Sequence, residues 1–196
     1  MEVTNVPANY ALRKPHVLEQ LLAQADLLLT SDQHDGVFSA AQIALIMRFV
    51  QGGGSMVFFC HWSAPWGRGF FETFGNFGAS ALPGVLPLRM RKGIVHARKV
   101  RLTKEGRAAF GGLAWDTIPA FDHNAAELSS GARLLAESEE GAPLIAEGEY
   151  GKGKVLAIAM DCFGFESYVE GLSFDFWPEK PRLIRGSVAR LLGLVE

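Results

Sequence analysis

An α/β domain built on a parallel sheet is the fold class this sequence predicts, and three observations predict it. Two short apolar runs, Leu27 Leu28 Leu29 and Met56 Val57 Phe58 Phe59, are too short for ordinary helices and read as strands covered on both faces. Amphipathic patterns lie before and between them, with Val17, Leu18, Leu21 and Leu22 on one helical face and Ile43, Ile46, Met47 and Val50 on another. The resulting order of strand, helix, strand, helix, strand is that of parallel strands joined by right-handed crossovers.

The 196 residues, 48% hydrophobic and 20% charged, are enough for one well-packed core, and residues 1–196 read as a single domain without repeat, linker or low-complexity segment. The net charge of -2 is spread over interspersed acids and bases. No nucleic-acid partner and no anionic membrane is therefore expected. No apolar run approaches the roughly 20 residues that span a bilayer, and residues 1–7 lack the basic-then-apolar layout of a signal peptide. A cytoplasmic location is expected, where Cys60 and Cys162 read as free thiols.

In chain order, residues 2–6 alternate weakly and read as a short strand ending at Pro7. A helix over 15–25 starts with proline in its first turn. The strand over 26–30 then delivers Ser31 Asp32 Gln33 His34 Asp35 Gly36 into a loop. Ser39 can cap the helix over 39–51, and Gly52, Gly53 and Gly54 suit a left-handed stop. The strand over 55–59 delivers Cys60 His61 Trp62 Ser63. Residues 65–84 are rich in glycine and aromatics, including Trp66, Phe70, Phe71, Phe74 and Phe77, as a lid or a packed irregular excursion would be.

Residues 85–90 and 95–102 read as strands at one sheet edge, and 103–110 as a short helix capped by Thr103. Asp122 His123 Asn124 reads as a turn-prone loop. Strands follow over 133–137, 144–150 and 155–160, the last two joined as a hairpin by Gly151 Lys152 Gly153. That turn looks like a phosphate loop but lacks the Walker spacing and the Ser/Thr after lysine. No cofactor is expected. The last strand leads into Asp161 Cys162, and a helix over 181–192 carries Leu183, Ile184, Val188, Leu191 and Leu192 on one face.

Open α/β sheets bind ligands beyond the carboxyl ends of their strands. Three loops should meet there, bringing Asp32 and His34, then Cys60, His61 and Trp62, then Asp161 and Cys162. Cys60 has the address of a nucleophile, which needs a thiolate and a nearby imidazole. It also fits a small buried apolar residue. His61 is the adjacent imidazole, while His34 and His123 reach a thiol more easily from other loops. A metal reading of Asp32, His34, His61, Asp161 and Cys162 ranks below the thiol reading because their spacing matches no established motif, so no metal site is expected. Asp161 also fits a capping carboxylate.

With these residues in view, the chain resembles the class I glutamine amidotransferase-like superfamily, and within it a bacterial amidotransferase group near the trehalose-utilisation-type domains. The resemblance rests on Ala25 Asp26 Leu27 Leu28 Leu29 Thr30 Ser31 Asp32, on Phe49 Val50 Gln51 Gly52 Gly53 Gly54, on Gly112 Leu113 Ala114 Trp115, and on the stretch from Gly148 to Ala157 followed by Asp161 Cys162. It implies a flavodoxin-like three-layer α/β/α sandwich with a mostly parallel central sheet and an antiparallel hairpin extension. Members of the group begin with one further strand and helix, which this chain lacks, and the uncovered edge points to a homodimer.

The family places its cysteine in a Gly-x-Cys-x-Gly turn, where this chain has Phe58 and Trp62. Its basic histidine precedes a glutamate by two residues, where this chain reads Cys162 Phe163 Gly164 Phe165 Glu166. The resemblance with these departures implies an amidotransferase-like domain without glutaminase activity, binding a small molecule at the carboxyl rim through Asp32, His34, Trp62, Asp161 and Cys162. The alternative is a cysteine-dependent amide hydrolase or amidotransferase with Cys60 as nucleophile, His61 beside it, and a non-standard base.

Overall fold

The structure, a computed structural model, describes residue 4 and residues 15–31, 39–59, 82, 84–160 and 177–194. Helix α1 spans Pro15–Leu22, strand β1 Leu27–Ser31, helix α2 Ala40–Gly52 and strand β2 Ser55–Phe59. Pro15 opens α1, where its missing N–H costs nothing. Ser39 caps α2 in a reciprocal box: its hydroxyl accepts from the Gln42 N–H, and the Gln42 side chain accepts from the Ser39 N–H at 2.9 Å. Gly53 closes the helix at φ 122°, a conformation that side chains rarely adopt.

Strands β3 (Leu88–Ala97) and β4 (Val100–Leu102) come next, then helix α3 (Lys104–Phe110), a 3₁₀ turn at Trp115–Thr117, and strand β5 (Phe121–Leu128). Strands β6 (Arg133–Ser138), β7 (Pro143–Tyr150) and β8 (Gly153–Ile158) and helix α4 (Lys180–Leu191) complete the described elements. Thr103 caps α3 by accepting the Gly106 N–H at 3.0 Å.

The sheet overturns the expected flavodoxin-like sandwich with its mostly parallel sheet. Its order is β1-β2-β8-β7-β6-β4, in which only the β1–β2 and β2–β8 pairs are parallel. The β8–β7, β7–β6 and β6–β4 pairs are antiparallel, so the sheet is mixed and mostly antiparallel, accompanied by four helices among the described residues. The reason is connection length. Parallel neighbours need a crossover of a dozen or more residues, whereas two residues, Gly151 and Lys152, separate β7 from β8 and four separate β6 from β7.

The expected edge strands also divide differently. β4 closes one side of the six-stranded sheet, while β3 pairs with β5 in a separate antiparallel ribbon whose register shifts between Met90 and Ile94. The strand expected over 2–6 lies outside the described residues, Thr4 excepted. β1, expected to be covered on both faces, leaves Leu29 39% exposed because it is the outermost of the described strands.

Alternation along β2 and β8 builds a core on each face. Met56, Phe58, Val155 and Ala157 pack with Leu18 and Leu22 of α1 and with Ile46 and Val50 of α2. Val57, Phe59, Leu156 and Ile158 pack with Phe110 of α3 and with Leu183 and Leu191 of α4. Each of these side chains larger than Ala157 contributes about 1.5–3 kcal/mol. Trp177 is 1% exposed at the head of α4, stacks on Trp115 at a centroid distance of 4.8 Å, and donates to Thr117 Oγ1 at 3.1 Å.

Gly151 Lys152 Gly153 is a packing element. The Lys152 N–H donates to Gln51 O at the end of α2. A Cβ built on Gly153 would run into the carbonyl oxygens of Val50 and Gly54. Gly153→Ala is expected to lower stability in urea by about 1–3 kcal/mol, as overpacking does. Gly112→Ala, where the added carbon meets open space, should stay within about 0.5 kcal/mol.

Charges tie elements to one another. Arg190 of α4 grips Glu147 of β7 with two bonds, Nε to Oε2 at 2.6 Å and Nη2 to Oε1 at 2.9 Å, and Arg133 lies 3.4 Å from the same carboxylate. The bond to Glu147 holds the Arg190 guanidinium above its ordinary pKa despite partial burial. Arg190→Ala should cost about 1–3 kcal/mol in a urea titration because it strips a mostly buried carboxylate of its best donor. Arg190→Lys should recover only part of that, having no fork.

On the exposed ribbon, Glu127 of β5 accepts from Arg91 and Arg89 of β3 at 2.6 and 2.5 Å. The Arg91 bond first, then that of Arg89, holds its carboxyl down at about 2. A depressed carboxyl supports the folded state fully above its ordinary pKa of 4.5 and loses that support as pH falls toward 2. Carbon-detected NMR should find the Glu127 midpoint near 2 in dilute buffer. Arg91→Ala or high salt should move it toward the ordinary value.

Candidate functional site

Three parallel strands that lie side by side end at one edge of the sheet. In their register Ser31 of β1 sits opposite Phe59 of β2, and Phe59 opposite Ile158 of β8. The next chain positions are Asp32 after β1 and Cys60 after β2, and Asp161 follows Met160 beyond β8. Parallel direction and shared register are what a carboxyl-rim site requires of its scaffold.

The side chains predicted for the site, Asp32, His34, Cys60, His61, Trp62, Asp161 and Cys162, all lie outside the described residues. So do the segment from Cys162 to Glu166 and nearly all of the glycine- and aromatic-rich stretch over 65–84. Among the described residues, no group of three or more His, Cys, Asp or Glu could hold a metal ion. No helix among them is long and apolar enough to cross a membrane.

One imidazole at this rim was misread in the sequence. His123 belongs to β5, with its backbone opposite Val95 of β3 and bridged antiparallel to Met160, just past the end of β8. It is 0% exposed, and its ring centroid lies 6.0 Å from that of Phe121. The turn expected at Asp122 His123 Asn124 is therefore a strand. Small polar side chains favour turns because they bond their own backbone, and here the β3 ladder satisfies that backbone instead. The available signal was alternation: Phe121 and His123 share one face of the strand, and both are buried.

The ribbon that carries His123 is held at both ends. Glu127 is clamped by Arg89 and Arg91 near one end. At the other, the Glu139 carboxylate accepts the backbone N–H groups of Arg98 and Lys99, both at 2.9 Å, in the β3–β4 turn. Burial pushes the Glu139 carboxyl up, and bonds from its own backbone N–H and from those two amides outweigh it, leaving the pKa lowered. Fixed ribbon ends hold the β5 backbone, and with it His123, against the end of β8.

No known family profile matches the chain, and no curated protein matches it in sequence. Among solved structures it is similar to the cytoplasmic protein STM3548 from Salmonella typhimurium, at 20% identity and a TM-score of 0.76, over 97% of this chain and 81% of that one. The cytoplasmic protein STM1381 from Salmonella typhimurium LT2 is similar at 22% identity and a TM-score of 0.75, with the same coverage. The mmIFT52 N-terminal domain is similar at 11% identity and a TM-score of 0.57, over 97% of this chain and 92% of that one. At these identities the likeness is one of fold. It supports an α/β fold with a mixed sheet, and supports neither the flavodoxin-like class nor the amidotransferase-like label expected from the sequence.

Proposed function

We propose that this chain is a small-ligand-binding domain without glutaminase activity, its site at the carboxyl rim of β1, β2 and β8. The observation that carries the reading is the common direction and register of those three strands. β1 and β2 lead directly into polar segments headed by Asp32 and Cys60, and β8 leads through Ala159 and Met160 into one headed by Asp161. Phe58 and Trp62 stand where an amidotransferase turn needs glycine, which argues for binding over amide hydrolysis. A cytoplasmic location belongs to the same reading and is supported by the two Salmonella neighbours, which are cytoplasmic proteins.

A second reading, a cysteine-dependent amide hydrolase, gains from His123. His123 is buried and its backbone bridges to Met160 past the end of β8, at the end of the sheet where the segment headed by Cys60 begins, which supports an imidazole there as the base. The two readings separate in the tube. Under the binding reading, purified protein releases no ammonia from glutamine above the Cys60→Ala background, and iodoacetamide labels Cys60 and Cys162 at similar slow rates. Rapid labelling of Cys60 at neutral pH, slowed by His123→Gln, would replace the first reading with the second.

A further inference from the structure

The opposite end of the same strands carries a second feature. An open cavity of about 850 Å³, within the size range of small-molecule sites, lies where β1 and β2 begin. Its walls include Leu22, Phe49 and Leu191, and its polar lining comes from Asp26, Arg48 and Ser55. Ser55 is 7% exposed, yet its hydroxyl has no hydrogen-bond partner among the described residues, and neither do the side chains of Asp26 and Arg48. Its oxygen keeps an open side, and at the cavity wall it is free to bond a ligand.

The field of the cavity has a sign. Leu22, Gly52 and Leu191, which line it, are the last residues of α1, α2 and α4. Each helix brings the negative end of its dipole to the same space, about half an elementary charge apiece. The Asp26 carboxylate adds to that potential. Arg48 opposes it; Arg48 and Asp26 are both exposed, so the sign of the field rests on the three helix ends.

We infer that this cavity is a binding site for a small organic cation, a primary ammonium on an apolar body. The ammonium is placed against the Asp26 carboxylate and the Ser55 hydroxyl, and the apolar body against Leu22, Phe49 and Leu191. The ammonium donates to both oxygens and no bond is made or broken. The site is independent of the rim reading, because it uses none of the rim residues and faces the other end of the strands.

The probe is phenethylammonium, titrated into the full chain and followed by ¹⁵N-resolved NMR. Saturable shifts are expected at Gly52, Gly53, Gly54 and Ser55, with phenylacetate producing none there. Asp26→Asn should weaken binding about tenfold or more and Ser55→Ala severalfold, as loss of charge-assisted bonds does. Arg48→Met should leave affinity unchanged or raise it. The inference is overturned if no saturable shift occurs, if the shifts fall on His123 and Met160 instead, or if Arg48→Met abolishes binding while Asp26→Asn does not, which would mark an anion site. Asp26 holds Ser55 through its backbone carbonyl, so Asp26→Asn leaves that contact in place; an unchanged amide spectrum of the unliganded variant checks this.

Discussion

The close approach of two glycine-rich corners is the contact on which the rest of the molecule depends. Gly153 lies so near the carbonyls of Val50 and Gly54 that a methyl group has no room, and Gly151 at φ 63° sits where a Cβ would come within 2.6 Å of Gln51 O. The two corners are about a hundred residues apart in the chain. Their contact places the start of β8 against the start of β2, and the parallel register from Met56↔Val155 onward follows. Because the register of a buried strand decides which residues face which core, this backbone contact also sorts Leu156 and Ile158 to one face and Ala157 to the other. A glycine-lysine-glycine turn that looks like a phosphate cradle is thus a packing joint, with its Lys152 N–H spent on Gln51 O.

Local signals in the sequence were legible wherever local chemistry decides the outcome. Ser39 and Thr103 cap their helices as their positions suggest, and Pro15 and the three glycines mark the ends they should. The glycine turn makes the expected hairpin of β7 and β8. What could not be read locally was pairing. The polar triplet at Asp122 becomes a strand because β3, in a separate two-stranded sheet, supplies it a ladder. Strand direction was partly written in the connections: turns of two and four residues force antiparallel neighbours. The expectation of a mostly parallel sheet extended to the later strands a rule that holds for the first ones.

The finished sheet shows how an edge is managed. β4 closes one side with three residues, flanked by Arg98, Lys99 and Lys104 and carrying Arg101. A strand that short and that cationic is a poor template for another chain. Its charges are offset nearby, with Arg101 3.2 Å from Glu137 and the turn amides taken by Glu139. Between Arg89 and Arg107, Arg89 and Arg91 thus serve ribbon pairing and Arg101 lies on the edge strand beside Glu137.

A mixed sheet changes what its ends can do. In a wholly parallel sheet every strand contributes to one carboxyl rim, and the crossover helices line up their negative ends at the other. Here β1, β2 and β8 are parallel neighbours, and β6, which runs with them on the far side of antiparallel β7, brings the turn over 139–142 to the same end of the sheet. Among the described residues the β3–β5 ribbon also reaches this end, with His123 across from Met160. At the other end, three helix carboxyl termini and Asp26 gather around one cavity. The same trio of strands thus separates the molecule into an end that collects polar chain segments and an end that collects negative potential, and this polarity follows from strand direction whatever ligand either end takes.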